Sequence, residues 1–320
     1  MKKTLLIATA ALLLLATVSC NKDQDGVYNP KQKISKIYES GSRTYNDGDS
    51  NNTPRHLSEQ WEWDGNLLNS RTILSSSGSI SDKYTYTYEK KRLVRIDYTA
   101  VADAGRPTEY TTFSYDGKEL VQADHYYDNR HEESVRFTHT DGKITAIDIT
   151  YAEEKGSTHP VNAMLSMLLP PDLQMNDAFR QMNAKNAAKN AYVTRLEVSW
   201  TGNNISMMRM TYDDYTQTCA FTYDDKKNPY YGMCLFWLYI YDEVDEMLDS
   251  PEYASVHDKN NVLTASYSDS DYHEETCTFT YTYKNDYPET CTVNRKRSRG
   301  GGYIDYGYTG IDRYEYEYLK

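Results

Sequence analysis

Rings and polar residues alternate along much of this chain. Tyr84-Thr85-Tyr86-Thr87-Tyr88 sets three rings on one face and two threonines on the other, and Tyr314-Glu315-Tyr316-Glu317-Tyr318 repeats the arrangement. Cys277-Thr278-Phe279-Thr280-Tyr281-Thr282-Tyr283 holds it over seven residues. A period of two in β-branched and aromatic residues marks a half-buried strand, because successive side chains point to opposite faces. The rings are expected to face a core, and Thr and Glu to face water.

A polar turn follows each such strand, and the chain becomes apolar again five residues after the last ring. Trp63-Asp64-Gly65-Asn66 leads to Leu68, Tyr88-Glu89-Lys90-Lys91 to Leu93, and Tyr115-Asp116-Gly117-Lys118 to Leu120. His139-Thr140-Asp141-Gly142-Lys143 leads to Ile144, and Trp200-Thr201-Gly202-Asn203-Asn204 to Ile205. Asp-Gly and Gly-Asn supply the positive φ angles of tight hairpins. From Leu68 to Ile144 the apolar positions recur about every 25 residues, so the expected unit is strand, short turn and returning strand.

Two stretches break the rhythm. After Pro170-Pro171 and Asp172, the spacing of Met175, Phe179 and Met182 predicts an amphipathic helix within 161–190. Near 230–250 an apolar run from Gly232 to Tyr241 grades into acidic residues and stops at Pro251, which predicts a second helix. The expected fold is mainly β: a long antiparallel meander curled into an open or closed barrel-like sheet, with two helical insertions packing on it or plugging it. Residues 32–320 read as that single domain.

The aromatic-x-aromatic-Asp-Gly-Lys-x-Leu units resemble the tyrosine-aspartate hairpins of large secreted repeat proteins. A later order is more specific: Tyr223-Asp-Asp-Lys-Lys-Asn-Pro229-Tyr-Tyr, then Lys259-Asn-Asn-Val262, then Tyr281-Thr-Tyr-Lys-Asn-Asp-Tyr-Pro288. It resembles a family of Bacteroidetes lipoproteins of unknown function with a porin-like fold, over nearly all of the chain after residue 20. The resemblance implies a meander curled toward a barrel, and it brings no activity or catalytic residue. A membrane-spanning barrel presents an apolar outer band about 25 Å tall. These strands instead offer Thr, Glu, Lys and Asp opposite their rings, so a water-facing sheet is expected.

Residues 1–19 read as a secretory signal. Lys2 and Lys3 precede an apolar run from Leu5 to Val18, about 14 residues long where a spanning helix needs roughly 20. Val18-Ser19-Cys20 resembles a lipoprotein cleavage site, with Thr17 where such signals prefer leucine. Cys20 is the expected acylation site, residues 20–31 the lipidated tether, and the membrane the expected partner through that anchor. Asn21 after the cysteine resembles an outer-membrane destination, and Lys22-Asp23-Gln24-Asp25 resembles the export tags of surface-exposed lipoproteins. Display at the cell surface is expected, with the periplasmic face as the alternative.

The net charge of −12 becomes −14 once Lys2 and Lys3 leave with the signal, and an acidic chain disfavours nucleic acid as a partner. A mature chain of this size buries roughly 75% of its unfolded surface and needs no disulfides to fold. Cys219, Cys234, Cys277 and Cys291 would meet an oxidising compartment, but four cysteines allow three pairings. Without a close CxxC pair they read best as small apolar strand residues.

No nucleophile elbow, phosphate-binding glycine loop or zinc-protease helix occurs. His131-Glu132-Glu133 lacks the second histidine of the zinc pattern. Asp47-Gly-Asp49-Ser-Asn51 opens like a calcium loop, but Asn52 replaces the needed glycine and Ser58 the bidentate glutamate. Glu132-Glu133, Glu153-Glu154 and Glu274-Glu275 do not form a glycosidase pair by themselves, since strand neighbours point to opposite faces. Arg295-Lys-Arg-Ser-Arg299 before three glycines reads as a solvated charge run on a flexible loop. No catalytic residue, metal ligand or cofactor is expected, and the chain is read as no enzyme. Two functions remain. A non-catalytic binding module would stack exposed rings, with Trp61, Trp63 and Trp200 as candidates, on a glycan or peptide. A structural or interaction protein would engage an envelope complex through its sheet edges or outer face.

Overall fold

The computed structural model describes residues 28–45, 48–101, 108–151, 193–212, 215–233, 258–270, 273–299 and 308–320. They form sixteen strands. The first eight are β1 (Ile34–Tyr45), β2 (Ser50–Asp64), β3 (Leu67–Leu74), β4 (Ile80–Glu89), β5 (Arg92–Ala100), β6 (Glu109–Asp116), β7 (Glu119–Tyr127) and β8 (Arg130–Thr140). The rest are β9 (Lys143–Tyr151), β10 (Val193–Thr201), β11 (Asn204–Tyr212), β12 (Tyr215–Tyr223), β13 (Val262–Asp269), β14 (His273–Lys284), β15 (Tyr287–Arg299) and β16 (Tyr308–Tyr318).

Each strand pairs antiparallel with the next, and β1 pairs with β16 from Ile34–Tyr318 to Tyr45–Tyr308, closing the sheet into a barrel. Of the two shapes left open by the sequence, the closed one is found. Among the described strands none is left at an edge. The helices expected within 161–190 and near 230–250 lie outside the described residues, except for 230–233, a turn in which Met233 N–H donates to Tyr230 O at 2.9 Å.

One mouth of the barrel is built from tight turns. There the ladder shifts by one residue beside each ring, so that Trp63 faces Leu68, Tyr88 Leu93, Tyr115 Leu120, His139 Ile144 and Trp200 Ile205. The turns need positive φ: Gly65 supplies 57°, while Lys90 and Lys91 adopt 51° and 71° without a glycine's freedom. Each ring's polar tip then crosses to the preceding hairpin. Trp63 Nε1 donates to Ile34 O at 2.7 Å, Tyr88 Oη to Leu68 O at 2.9 Å and Tyr115 Oη to Leu93 O at 2.7 Å. Trp200 Nε1 reaches Ile144 O and His139 Nε2 reaches Leu120 O, both at 2.6 Å. A carbonyl only accepts, so the proton of His139 sits on Nε2. Phenylalanine would fill the same space and leave a carbonyl unpaired, which explains Tyr, Trp and His here.

Alternation does the rest. Tyr84, Tyr86, Tyr314 and Tyr316 point inward and are buried, whereas Thr85, Thr87 and Glu317 are exposed. Leu68, Leu120, Ile149, Leu196 and Phe279 complete the inner wall. The outer wall is polar along the strands' middles: Arg136, Arg195, Arg209 and Arg313 are exposed, and Arg195 pairs with Asp148 at 2.9 Å. A Lys or Arg turned to lipid at mid-bilayer costs about 2–4 kcal/mol, so a wall with arginines on several strands is built for water.

Candidate functional site

The tight-turn mouth is filled by rings. Tyr28 packs 5.5 Å from Trp63 and 6.4 Å from Trp61, and its hydroxyl donates to Pro229 O at 2.6 Å. Tyr230 lies 6.2 Å from both Trp61 and Tyr316. Trp61 is 3% exposed, while Trp63 and Trp200 are half-buried and held by the carbonyl bonds described above. The three tryptophans named as stacking candidates are therefore parts of the wall and its plug.

The connector from β12 to β13 is pinned at this mouth by two aspartates. Asp224 Oδ1 accepts from Lys226 N–H at 2.9 Å and Asn261 N–H at 3.0 Å, and Oδ2 accepts from the Tyr283 hydroxyl. Asp258 Oδ1 accepts from Ile205 N–H at 2.5 Å, but its Oδ2 lies 2.7 Å from Tyr223 Oη, itself 2.6 Å from Ile205 O. One phenol proton cannot serve both oxygens, and the carbonyl has none to give. The contacts close only if Asp258 Oδ2 carries a proton and donates it to Tyr223, which donates to Ile205. Burial agrees, pushing the Asp258 carboxyl up to about 8.

Away from this mouth the inner wall carries charge. Arg71 forms a two-pronged bond to Glu59, Nε–Oε2 at 2.6 Å and Nη2–Oε1 at 2.5 Å, and Trp61 Nε1 adds a third donor at 2.7 Å. Arg295 Nη1 lies 3.6 Å from Glu275 and Nη2 3.4 Å from Asp312. Asp312 lies over Gly41, where a Cβ would come within 2.5 Å of its Oδ1. His125 Nε2 lies 3.2 Å from Glu109 Oε1 and its Nδ1 3.2 Å from Thr111 Oγ1, with Glu133 directly across the ladder.

Hydroxyl, imidazole and carboxylate in that order can make a nucleophile and its base. Here Thr111 is 2% and His125 6% exposed, so no substrate carbon could approach the oxygen. Among the described residues no group of three His, Cys, Asp or Glu is placed to hold a metal ion.

Several sequence expectations change. Arg295 is on β15, not on a loop, and is 2% exposed because it continues the inward row of Cys291 and Val293. Glu132 and Glu133 are both buried, since a register shift between His125 and Tyr126 interrupts the alternation opposite them. Glu274 and Glu275 do split, one exposed and one buried. Gly48 and Asp49 belong to the turn between β1 and β2, where Tyr45 N–H donates to Asp49 O at 2.9 Å. Cys219, Cys277 and Cys291 are buried; Cys20, Cys234 and Glu153-Glu154 lie outside the described residues.

Rings do turn outward in places: Tyr38 lies beneath Arg55 on the outer wall, and β6 and β7 carry a column. Tyr110 and Tyr126 stack at 4.8 Å and 13°, with the Arg95 guanidinium 3.6 Å over Tyr110 and His131 edge-on to Tyr126 at 5.4 Å. Arg95 is held by Asp97, with Nη2–Oδ1 at 2.5 Å. Burial and the Asp124 carboxylate raise the Tyr126 hydroxyl, which stays protonated. Alternation alone could have found this column, because Tyr110 and Tyr126 have the opposite parity to Phe113 and His125's neighbours on the inner wall.

No family model matches the chain. No curated protein matches it either. Solved structures do. A porin-like protein from Bacteroides uniformis is similar at 12% identity, with a TM-score of 0.47, covering 91% of this chain and 100% of the other. A porin-like protein from Bacteroides vulgatus is similar at 10% identity with a TM-score of 0.34, covering 90% and 99%. The barrel itself is established by its own strand pairing.

Proposed function

We propose that this chain is a non-catalytic lipoprotein of the cell envelope, acylated at Cys20, that binds a protein or peptide partner on its outer wall. The observation that carries the reading is the direction of the rings. Trp61, Trp63 and Trp200 are committed to the wall, which removes the motive for a glycan platform built on them. The outward Tyr110–Tyr126 column has its ring faces covered by Arg95 and His131. What it offers is edges, hydroxyls and charge, which suit polar contacts with a polypeptide better than stacking on a sugar ring. A closed barrel leaves no sheet edge for strand addition, so of the two routes to an envelope partner only the outer face remains. The polar wall supports attachment by lipid, with the barrel in water on the surface side of the outer membrane or the periplasmic side.

A photo-crosslinking residue at Tyr126, in cells producing the full chain, should capture a protein partner that the same residue at Ser199 does not. A glycan-array signal abolished by Trp61→Ala, with no crosslink at position 126, would instead restore the glycan reading. Cys20→Ala should abolish acylation and release the protein from membranes, and mass spectrometry finding a mature N-terminus elsewhere would remove the anchor.

A further inference from the structure

We infer that the outer face of β12–β15 is the surface on which a second copy of this chain packs, the two related by a two-fold axis that lies in the interface and runs across the strands. Unlike the rest of the outer wall, this face holds no charge along its middle. Thr222, Thr264, Thr278 and Asn294 lie side by side in the ladder, one from each strand. Ala220, Ser266 and Thr276 make the next row, and on the other side Thr280 faces Thr292 and Thr282 faces Thr290. The chain is 26% charged, and rows on β8–β11 hold Arg136, Asp148, Arg195 and Arg209. Leu263, in the bulge after Val262, adds an exposed apolar side chain. The hydroxyls of Thr222 and Thr264 lie 2.5 Å apart and those of Thr282 and Thr290 2.7 Å, so covering these pairs leaves neither without a partner. Charge withdrawn from the centre of a face suits a buried contact.

Charge returns at both ends of the face, in opposite order on neighbouring strands. On β15, exposed Glu289 stands at the tight-turn end and exposed Lys296 toward the other mouth. On β14, exposed Lys284 stands at the tight-turn end and exposed Glu274 toward the other mouth. Phe279 and Val293 face each other midway along the two strands. A two-fold axis across the strands at that level reverses each strand over its own copy, as a self-complementary interface requires. It sets Lys296 against the partner's Glu289 and Lys284 against the partner's Glu274, so acid meets base at every end. These side chains are longer than threonine and reach across the gap that two curved walls leave away from the axis. Arg313, opposite Thr292 on β16, sits where the closed wall turns away. Four strands about 4.8 Å apart, over six residue steps of about 3.4 Å, give roughly 400 Å². A stable complex buries about 800 Å² per partner, so this dimer is weak and depends on its end pairs.

A photo-crosslinking residue at Thr280, beside the axis, tests this in cells producing the full chain. It should give a band at twice the chain's mass that contains this chain alone, and the same residue at Ser199 should not. Lys296→Glu turns two symmetry-related contacts from attraction to repulsion and should weaken that band about tenfold. Adding Glu289→Lys exchanges the two charges and should restore it, which separates a lost contact from a lost fold. The inference is overturned by the absence of a doubled band from position 280, or by a crosslink there to a different protein. A band that Lys296→Glu leaves unchanged, or that Glu289→Lys does not restore, overturns it equally.

Discussion

Asp258→Asn should stabilise the protein at pH 8 and change little near pH 4. The folded carboxyl titrates at about 8, against 3.8 for the ordinary group, because burial disfavours its charge. Between those values the native state holds a proton that the unfolded chain has released. The stability this group contributes is thus whole below about pH 3.8, falls as pH rises, and is fully lost above about 8. At pH 7 the gap is about three pH units at 1.36 kcal/mol each, so roughly 4 kcal/mol is the ceiling on what ionisation withdraws. An asparagine repeats the neutral acid's bonds: Oδ1 accepts from Ile205 N–H, and the amide N–H donates to Tyr223 Oη. Equilibrium urea unfolding followed by tryptophan fluorescence at pH 4, 6 and 8 measures the difference between variant and wild type, which should grow with pH. Tyr223→Phe, by contrast, breaks the cycle itself and should cost about 1–3 kcal/mol. A difference between Asp258→Asn and wild type that is flat with pH, or an Asn variant less stable at pH 8, would refute the protonated-acid assignment.

Arg71→Met should cost about 3–5 kcal/mol by leaving Glu59 buried without its cation, and adding Glu59→Leu should recover most of that loss; chemical denaturation of the three variants checks it. Tyr88→Phe should lose about 1 kcal/mol through the Leu68 carbonyl alone, with hydrogen exchange rising at the tight-turn mouth. Gly41→Val should destabilise by about 1–3 kcal/mol, because its side chain would displace Asp312 from beside Arg295; an unchanged melting temperature would show that the site can yield.

What was legible in the sequence was local. Ring parity set the inward face of β4 and β16, and the five-residue step from ring to apolar residue marked where strands turn. The charged inner wall was missed for want of the same counting: Arg295 shares parity with Cys291 and Val293, and Asp312 with Tyr314, but a run of basic residues beside glycines read as a loop. Glu132 needed a ladder shift set by partners on β7, which no local pattern carries. Closure was beyond reach, since β1 and β16 meet across 282 residues, as in the bond from Ser35 Oγ to Glu317 O. The proton on Asp258 depends on three residues from separate strands and a connector, brought within hydrogen-bond distance only by the finished barrel.

That closing pair also dictates the order of events during synthesis. β1 emerges before its second partner β16, so through most of synthesis the nascent sheet has an open seam and its inner rows of Leu, Ile and Tyr are uncovered. Unpaired strand borders and bare apolar rows are the surfaces by which incomplete chains aggregate. A product shortened before Tyr308 would keep that seam permanently. Until the eleven-residue β16 arrives, proteolysis should act on the open sheet far more readily than on the sealed one.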